Sequence, residues 1–329
     1  MDGVRKYWKR VVMAILLVVL SVLSLEVGSM SDASLSSFLY GDETARLIFL
    51  HSRLPRTVAI ILSAAGLSVA GMLMQAISRN KFMSPSTAGT TDAAAFGLLL
   101  SFLFLGQQSG LVQAVFAFVF ALVSTLIFTA VINRLQVREV IYIPLIGMMY
   151  GGLISAISTV VAFQFEAQQT LNAFNVGSFA RLGSFTLVYI VVIPLILAVI
   201  FSTKFSIIGL GEDFAKNLGV NYGRVVMIGL VIVALISAST FVAVGPLPFI
   251  GLIIPNMATS FYGDNLKKSI FDLMMFGAVF VLACDIVSRL IIHPREMNVS
   301  LTISVVGGII FMIYLLRGMY GGKTRKAAS

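Results

Sequence analysis

The stretch FSIIGLGEDFAKNLGVNYGR, residues 205–224, is a polar interruption between two long apolar runs. Ile207, Leu210, Phe214 and Leu218 recur at helical spacing and share one face of a helix. Glu212, Asp213 and Lys216 fall away from that stripe. Gly219 follows the last apolar residue, where a left-handed residue commonly ends a helix. The pattern predicts a short amphipathic helix at the cytoplasmic surface of a membrane, its apolar stripe able to dock on a partner. A connecting loop packed against its own spans fits the same pattern, and on pattern alone both readings stand.

The runs on either side decide the class. The chain has 329 residues, of which 58% are hydrophobic and 11% charged. Its mean hydropathy is +1.00. A soluble domain carries about 25% charge. Apolar runs near the length that crosses a bilayer, about 20 residues, recur throughout. No alternating strands of barrel type appear. The expectation is an all-α polytopic membrane protein with about ten spans, forming a single domain over residues 1–329.

Taken in order, the spans read 11–25, 54–77, 90–105, 111–132, 140–163, 185–201, 225–244, 249–262, 270–290, and a tenth ending near 316. The first follows Arg5, Lys6, Lys9 and Arg10 and resembles a signal peptide, but no small-x-small cleavage site follows closely. An uncleaved span is expected. Residues 29–52 are expected outside, and 164–184 form an outer segment with a short helix near 171–179. Gly147, Gly151 and Gly152 permit close helix contact in the fifth span. Gly245-Pro246-Leu247-Pro248 breaks the chain after the seventh.

This topology places seventeen of the 23 Lys and Arg residues on one side and six on the other. The basic side is the cytoplasmic one, so both termini are expected there. The net charge of +9 is thereby an orientation signal, not a nucleic-acid footprint.

Few residues suit bond-making chemistry. One cysteine, Cys284, excludes an intramolecular disulfide, and His51 and His293 are far apart in sequence. The tail RGMYGGKT, residues 317–324, lacks the first glycine of a phosphate-binding loop and the strand before it. It reads as a basic tail on the inner leaflet. No catalytic, cofactor or metal set is identifiable. Asp285 and Arg289 lie four apart in the ninth span and share a face. They read as a structural ion pair or as part of a transport path. Asp92 begins the third span. Arg53, Arg56, Arg295 and Glu296 cluster at the outer edge, where a protein with acidic patches could dock or where arginines simply anchor the interface.

Four stretches together resemble the iron-siderophore, haem and cobalamin permease family of bacterial ABC importers. They are RLPR (53–56) continued by AAGLSVAG (64–71) and Met74-Gln75; GLGEDFAKNLGV (209–220); VGPLPFIGLIIP (244–255); and DIVSR (285–289) followed by Glu296. Their order and spacing match along nearly the whole chain. The resemblance implies the fold of the cobalamin-importer permease and a second permease subunit, the same chain or a homologue. It implies two cytoplasmic ATPase subunits, which hold ATP and Mg, and an extracytoplasmic substrate-binding lipoprotein or periplasmic protein. The location implied is the bacterial cytoplasmic membrane. Within residues 205–224, Gly209, Leu210, Gly211, Glu212, Phe214, Ala215, Leu218 and Gly219 match the family's coupling helix. Arg53 and Arg56 match positions that meet acidic residues of the binding protein, and Arg295 is a looser candidate.

The chain departs from the family at Asn80 to Met83, at Asp92, at Asn256 and Thr259, and at Asn298 to Ser300. The run KFMSPSTAGT (81–90) looks like the ferric-siderophore branch. A bulky chelate needs a wide pathway and no iron ligands, which fits the shortage of His and Cys. A secondary transporter would instead place coupling carboxylates and broken helices at the midplane. A membrane enzyme would need a clustered acid, base or metal set, and none can be assembled.

Overall fold

The computed structural model describes residues 2–27, 43–106, 110–135, 142–181, 186–262, 266–292 and 295–326. Among these, ten helices are thirteen residues or longer. In chain order they are α1 (Asp2–Glu26), α2 (Leu54–Ser78), α3 (Thr90–Leu105), α4 (Gly110–Leu135) and α5 (Tyr142–Gln164), then α6 (Val192–Ile208), α7 (Tyr222–Val244), α8 (Ile250–Tyr262), α9 (Leu266–Leu290) and α10 (Val299–Lys326). Seven helical stretches are long and apolar enough to cross a membrane, and Thr90–Leu105, Ile250–Ser260 and Val299–Tyr314 are shorter apolar helices. Together they make the ten expected spans. All regular structure among the described residues is helical.

Four boundaries differ from the expectation. The second span starts earlier, because Glu43–Ile48 and a π-type turn, Phe49–Arg53, run straight into α2. Pro55 has no N–H to give, and a π turn just ahead of it lets the helix continue. The sixth span runs on to Ile208, with Phe205 and Ile208 fully buried. The short outer helix is Gln168–Phe174, followed by a 3-10 turn at Phe179–Arg181. Helix α10 continues through the stretch read as a basic tail, to Lys326. Residues 29–42, Arg138 and His293 lie outside the described residues.

Helix α2 is the hub. It packs against α6, α7, α8 and α9. Small residues allow this, because backbones approach closely only where side chains are short. A Cβ at Gly277 of α9 would sit 2.1 Å from Ser68 Oγ of α2. A Cβ at Gly71 would sit 1.9 Å from the carbonyl oxygen of Gly251 in α8. That carbonyl lies four residues before Pro255, which cannot donate to it. Gly71 therefore turns a bare Cα toward an oxygen that the helix itself leaves unpaired.

The fifth-span glycines divide. Gly147 and Gly151 press on the turn that precedes α3, with a Cβ at Gly147 only 2.0 Å from Thr87 O, whereas Gly152 faces open space. The break after α7 is clamped as well. Gly245, at φ +88°, lies against Val176, and Ser178 N donates to Val244 O at 2.8 Å. Around this hub, α1, α4, α5 and α10 leave many large apolar side chains exposed, among them Val18, Val123, Met149 and Val305. In a membrane such faces meet lipid or a neighbouring subunit.

Candidate functional site

The two ends of the bundle carry the polar residues. The end where α1 begins is called basal, the end where it finishes distal.

At the distal end, two arginines close the last turn of α1. A helix leaves its final carbonyls without intrahelical partners. Arg53 Nη1 donates to Leu25 O at 2.7 Å and Glu26 O at 2.8 Å. Arg289 Nη1 donates to Ser24 O at 3.0 Å and to Val27 O, and its Nη2 donates to Ser24 Oγ at 2.8 Å. Cations at a helix C-terminus are also favoured by the dipole. Arg289 is at the same time 2.7 Å from Asp285 Oδ2. Arg56 holds the other oxygen of Asp285 at 2.9 Å and reaches Glu296 Oε2 at 2.7 Å. Asp285 is fully buried.

Arg53 and Arg56, which the resemblance matches to binding-protein contacts, make their hydrogen bonds to the chain itself in this structure. Arg295 is exposed. The RLPR motif ties the start of α2 to the ends of α1 and α9.

At the basal end, the segment 205–224 is not one helix. Phe205 and Ile207 belong to α6, which Gly209 caps. Gly211, at φ +116°, opens a six-residue helix, Glu212–Asn217. Its first turn is acidic and its last turn holds Lys216, which suits the helix dipole. Lys216 Nζ lies 2.9 Å from Glu212 Oε1, which raises the lysine pKa above its usual value. Gly219, at φ +72°, closes the helix as its spacing predicts, with Val220 N donating to Ala215 O at 2.9 Å. Ala215 is fully buried against the spans. Leu210, Phe214 and Leu218 are exposed by 64%, 54% and 56%. The stripe is therefore not packed on the chain's own spans, and Ile207, half-buried in α6, drops out of it.

Two polar anchors escaped sequence reasoning. Arg10 Nε and Nη2 grip Asp272 Oδ1 and Oδ2, each at 2.8 Å, a side-on bidentate pair. The partners are 262 residues apart, so no local pattern links them. Arg10 read only as topogenic charge. The second anchor is Asn256, a departure from the resembled family. Its Nδ2 donates to Lys81 O and Leu252 O at 2.7 Å each, pinning the α2–α3 connection to α8. A buried amide in an apolar run was the available signal. No group of three or more His, Cys, Asp or Glu that could hold a metal is found among the described residues.

Residues 13–317 match the FecCD transport family. The chain is 41% identical over 305 residues to the petrobactin import system permease protein YclN of Bacillus subtilis (strain 168), covering 92% of this chain and 96% of that protein. It is 35% identical over 279 residues to the ferric-anguibactin transport system permease protein FatD of Vibrio anguillarum (strain ATCC 68554 / 775), covering 84% of this chain and 89% of that protein. Among solved structures, a metal-chelate type ABC transporter in an inward-facing conformation superimposes with a TM-score of 0.77 at 24% identity. That match covers 93% of this chain and 97% of the other, and it speaks for the fold.

Proposed function

The chain belongs to the FecCD transport family, and on that premise we propose that it carries a ferric siderophore across the bacterial cytoplasmic membrane as the permease subunit of an ATP-driven importer. It is a transport subunit and not an enzyme. ATP and Mg belong to a separate ATPase pair. The observation that carries the reading is the exposed apolar set of Leu210, Phe214 and Leu218, with Phe214 on the short Glu212–Asn217 helix between two spans and the two leucines flanking it. The importer class supplies an occupant for it, a groove on the ATPase.

Under this reading the basal end is cytoplasmic, and it agrees with the bias of Lys and Arg. Residues 205–224 are the coupling segment of a single permease domain. ATPase closure moves the Glu212–Asn217 helix, and α6 and α7 pass that motion to a pathway shared with a second permease subunit, which alternates its opening. The distal end receives an extracytoplasmic binding protein. Arg295 is the direct contact, with Arg53 and Arg56 holding the rim behind it. The cargo class follows the named relatives, one of them a ferric-anguibactin permease protein. A secondary transporter has no support from the family or from the relatives.

The test is affinity purification of the tagged chain in mild detergent, then uptake of radiolabelled ferric siderophore by the reconstituted assembly. Recovery of an ATPase and a second permease, lost on Phe214→Asp, is the expected result. Uptake that persists without any ATPase would overturn the proposal.

A further inference from the structure

A cavity of about 290 Å³ opens at the basal end between α2, α6 and α8. Its polar lining includes Gln75, Arg79, Lys81, Ser206 and Thr259. Gln75 is only 9% exposed, and among the described residues no group accepts from its Nε2. Arg79 forms no ion pair among the described residues. Its backbone is fixed at φ 49° as the cap of α2, with its N–H bonded to Gln75 O and Ala76 O. Among the described residues no carboxylate lines the cavity. The hydroxyls of Ser206 and Thr259 donate to Ser202 O and Asn256 O, so the guanidinium of Arg79 and the unsatisfied amide of Gln75 are the donors that suit an oxyanion here.

The lining is also amphipathic along its depth. Met72 and Phe205 line it too, and Met72 lies about 10 Å along α2 from Arg79, at 1.5 Å per residue. Cationic groups at the membrane boundary above an apolar interior suit an anionic lipid, and basic pockets between spans bind such headgroups.

We propose that this cavity binds the phosphate group of an anionic phospholipid from the leaflet at the basal end. Gln75 and Arg79 donate to the phosphate oxygens, and Lys81 adds charge. Phe205, Gly209 and Leu210 form the opposite wall. The lipid thereby bridges the end of α2 to the segment that carries the exposed stripe. The site rests on the basal end lying at a membrane surface and needs neither an ATPase nor transport.

The purified chain in phosphatidylcholine nanodiscs is compared with the same chain in discs containing phosphatidylglycerol, and with inorganic phosphate added to the former. Phosphatidylglycerol raises the unfolding midpoint by about 3 °C when present at roughly tenfold its dissociation constant. Native mass spectrometry retains that lipid preferentially. Gln75→Leu and Arg79→Asn abolish both effects while keeping the wild-type midpoint in phosphatidylcholine. Asparagine tolerates the left-handed backbone at position 79, so this variant carries the test should Gln75→Leu fail to fold. Equal stabilisation by the two lipids, or a phosphatidylglycerol effect that survives in a folded variant, overturns the site. A shift with inorganic phosphate alone reassigns it to free phosphate and overturns the lipid. A chain that imports but shows no lipid preference overturns this proposal and leaves the import function standing.

Discussion

Arg56 Nη2 lies 2.9 Å from Asp285 Oδ1, joining positions 229 apart in the chain. With Arg289 on its other oxygen, Asp285 is a buried carboxylate held between two guanidiniums. Glu296 balances the second positive charge. Removing one partner from a buried pair strands the rest and costs about 3–5 kcal/mol. Asp285→Ala should therefore lower thermal stability strongly. Glu296, whose side chain is 23% exposed, should cost about 1 kcal/mol or less on the same change. Unfolding midpoints of the two purified variants check the order, and equal losses would contradict it.

The α2–α8 crossing predicts a sharp contrast among glycines. Gly71→Ala drives a methyl into the Gly251 carbonyl and should cost about 3 kcal/mol or prevent folding, at the upper end of overpacking losses. Gly152→Ala meets nothing within 4 Å and should be neutral or stabilise by about 0.5–1 kcal/mol through helix propensity. Expression and unfolding of the pair decide the matter. A tolerated Gly71→Ala would mean that the crossing is looser than described.

The exposed stripe predicts a loss of function without a loss of fold. Leu210→Ala, Phe214→Ala and Leu218→Ala remove side chains that face outward, so the stability of the isolated chain should stay within about 0.5 kcal/mol of wild type. Phe214→Ala should weaken ATPase association about tenfold or more, as truncating an aromatic anchor does. It should also uncouple hydrolysis from uptake. Unchanged coupling in all three variants would remove the docking role.

The distal arginines should separate by phenotype. Arg53→Ala frees the carbonyls of Leu25 and Glu26 from a charged donor and should cost about 1.5–3 kcal/mol of stability. Arg295→Glu touches an exposed residue and should leave stability intact while weakening binding-protein association and its salt dependence. Midpoints and binding titrations at two ionic strengths read both. A stable Arg53→Ala that loses only binding would restore Arg53 to the docking surface.

What the sequence revealed follows the range of its signals. Spans are written in runs of about 20 residues, so their number and order were legible from composition. Caps are written within a turn, so Gly219 and the break at Gly245 were placed correctly. Asp285 and Arg289 are one turn apart and were legible as a pair. Arg56 stands 229 residues from Asp285 and was not. The inward turn of Arg53 was hidden for another reason: its acceptors are backbone carbonyls, which every residue carries. The early start of the second span was obscured by Arg46, His51 and Arg53, whose charge reads as a loop although a π turn carries the helix through them.

The grip of Arg10 on Asp272 has a consequence for how the chain is made. The two are separated by 262 residues, roughly 10–50 s of synthesis at 5–20 residues per second. Both long-range bases, Arg10 and Arg56, are translated before the acids they hold, Asp272 and Asp285. Arginine waits cheaply at a bilayer boundary, because its long stem lets the charge reach water. A short aspartate has no such reach. When α9 is inserted, its two buried acids arrive where Arg10 and Arg56 already stand, so each short acid enters the bilayer after the long base that holds it.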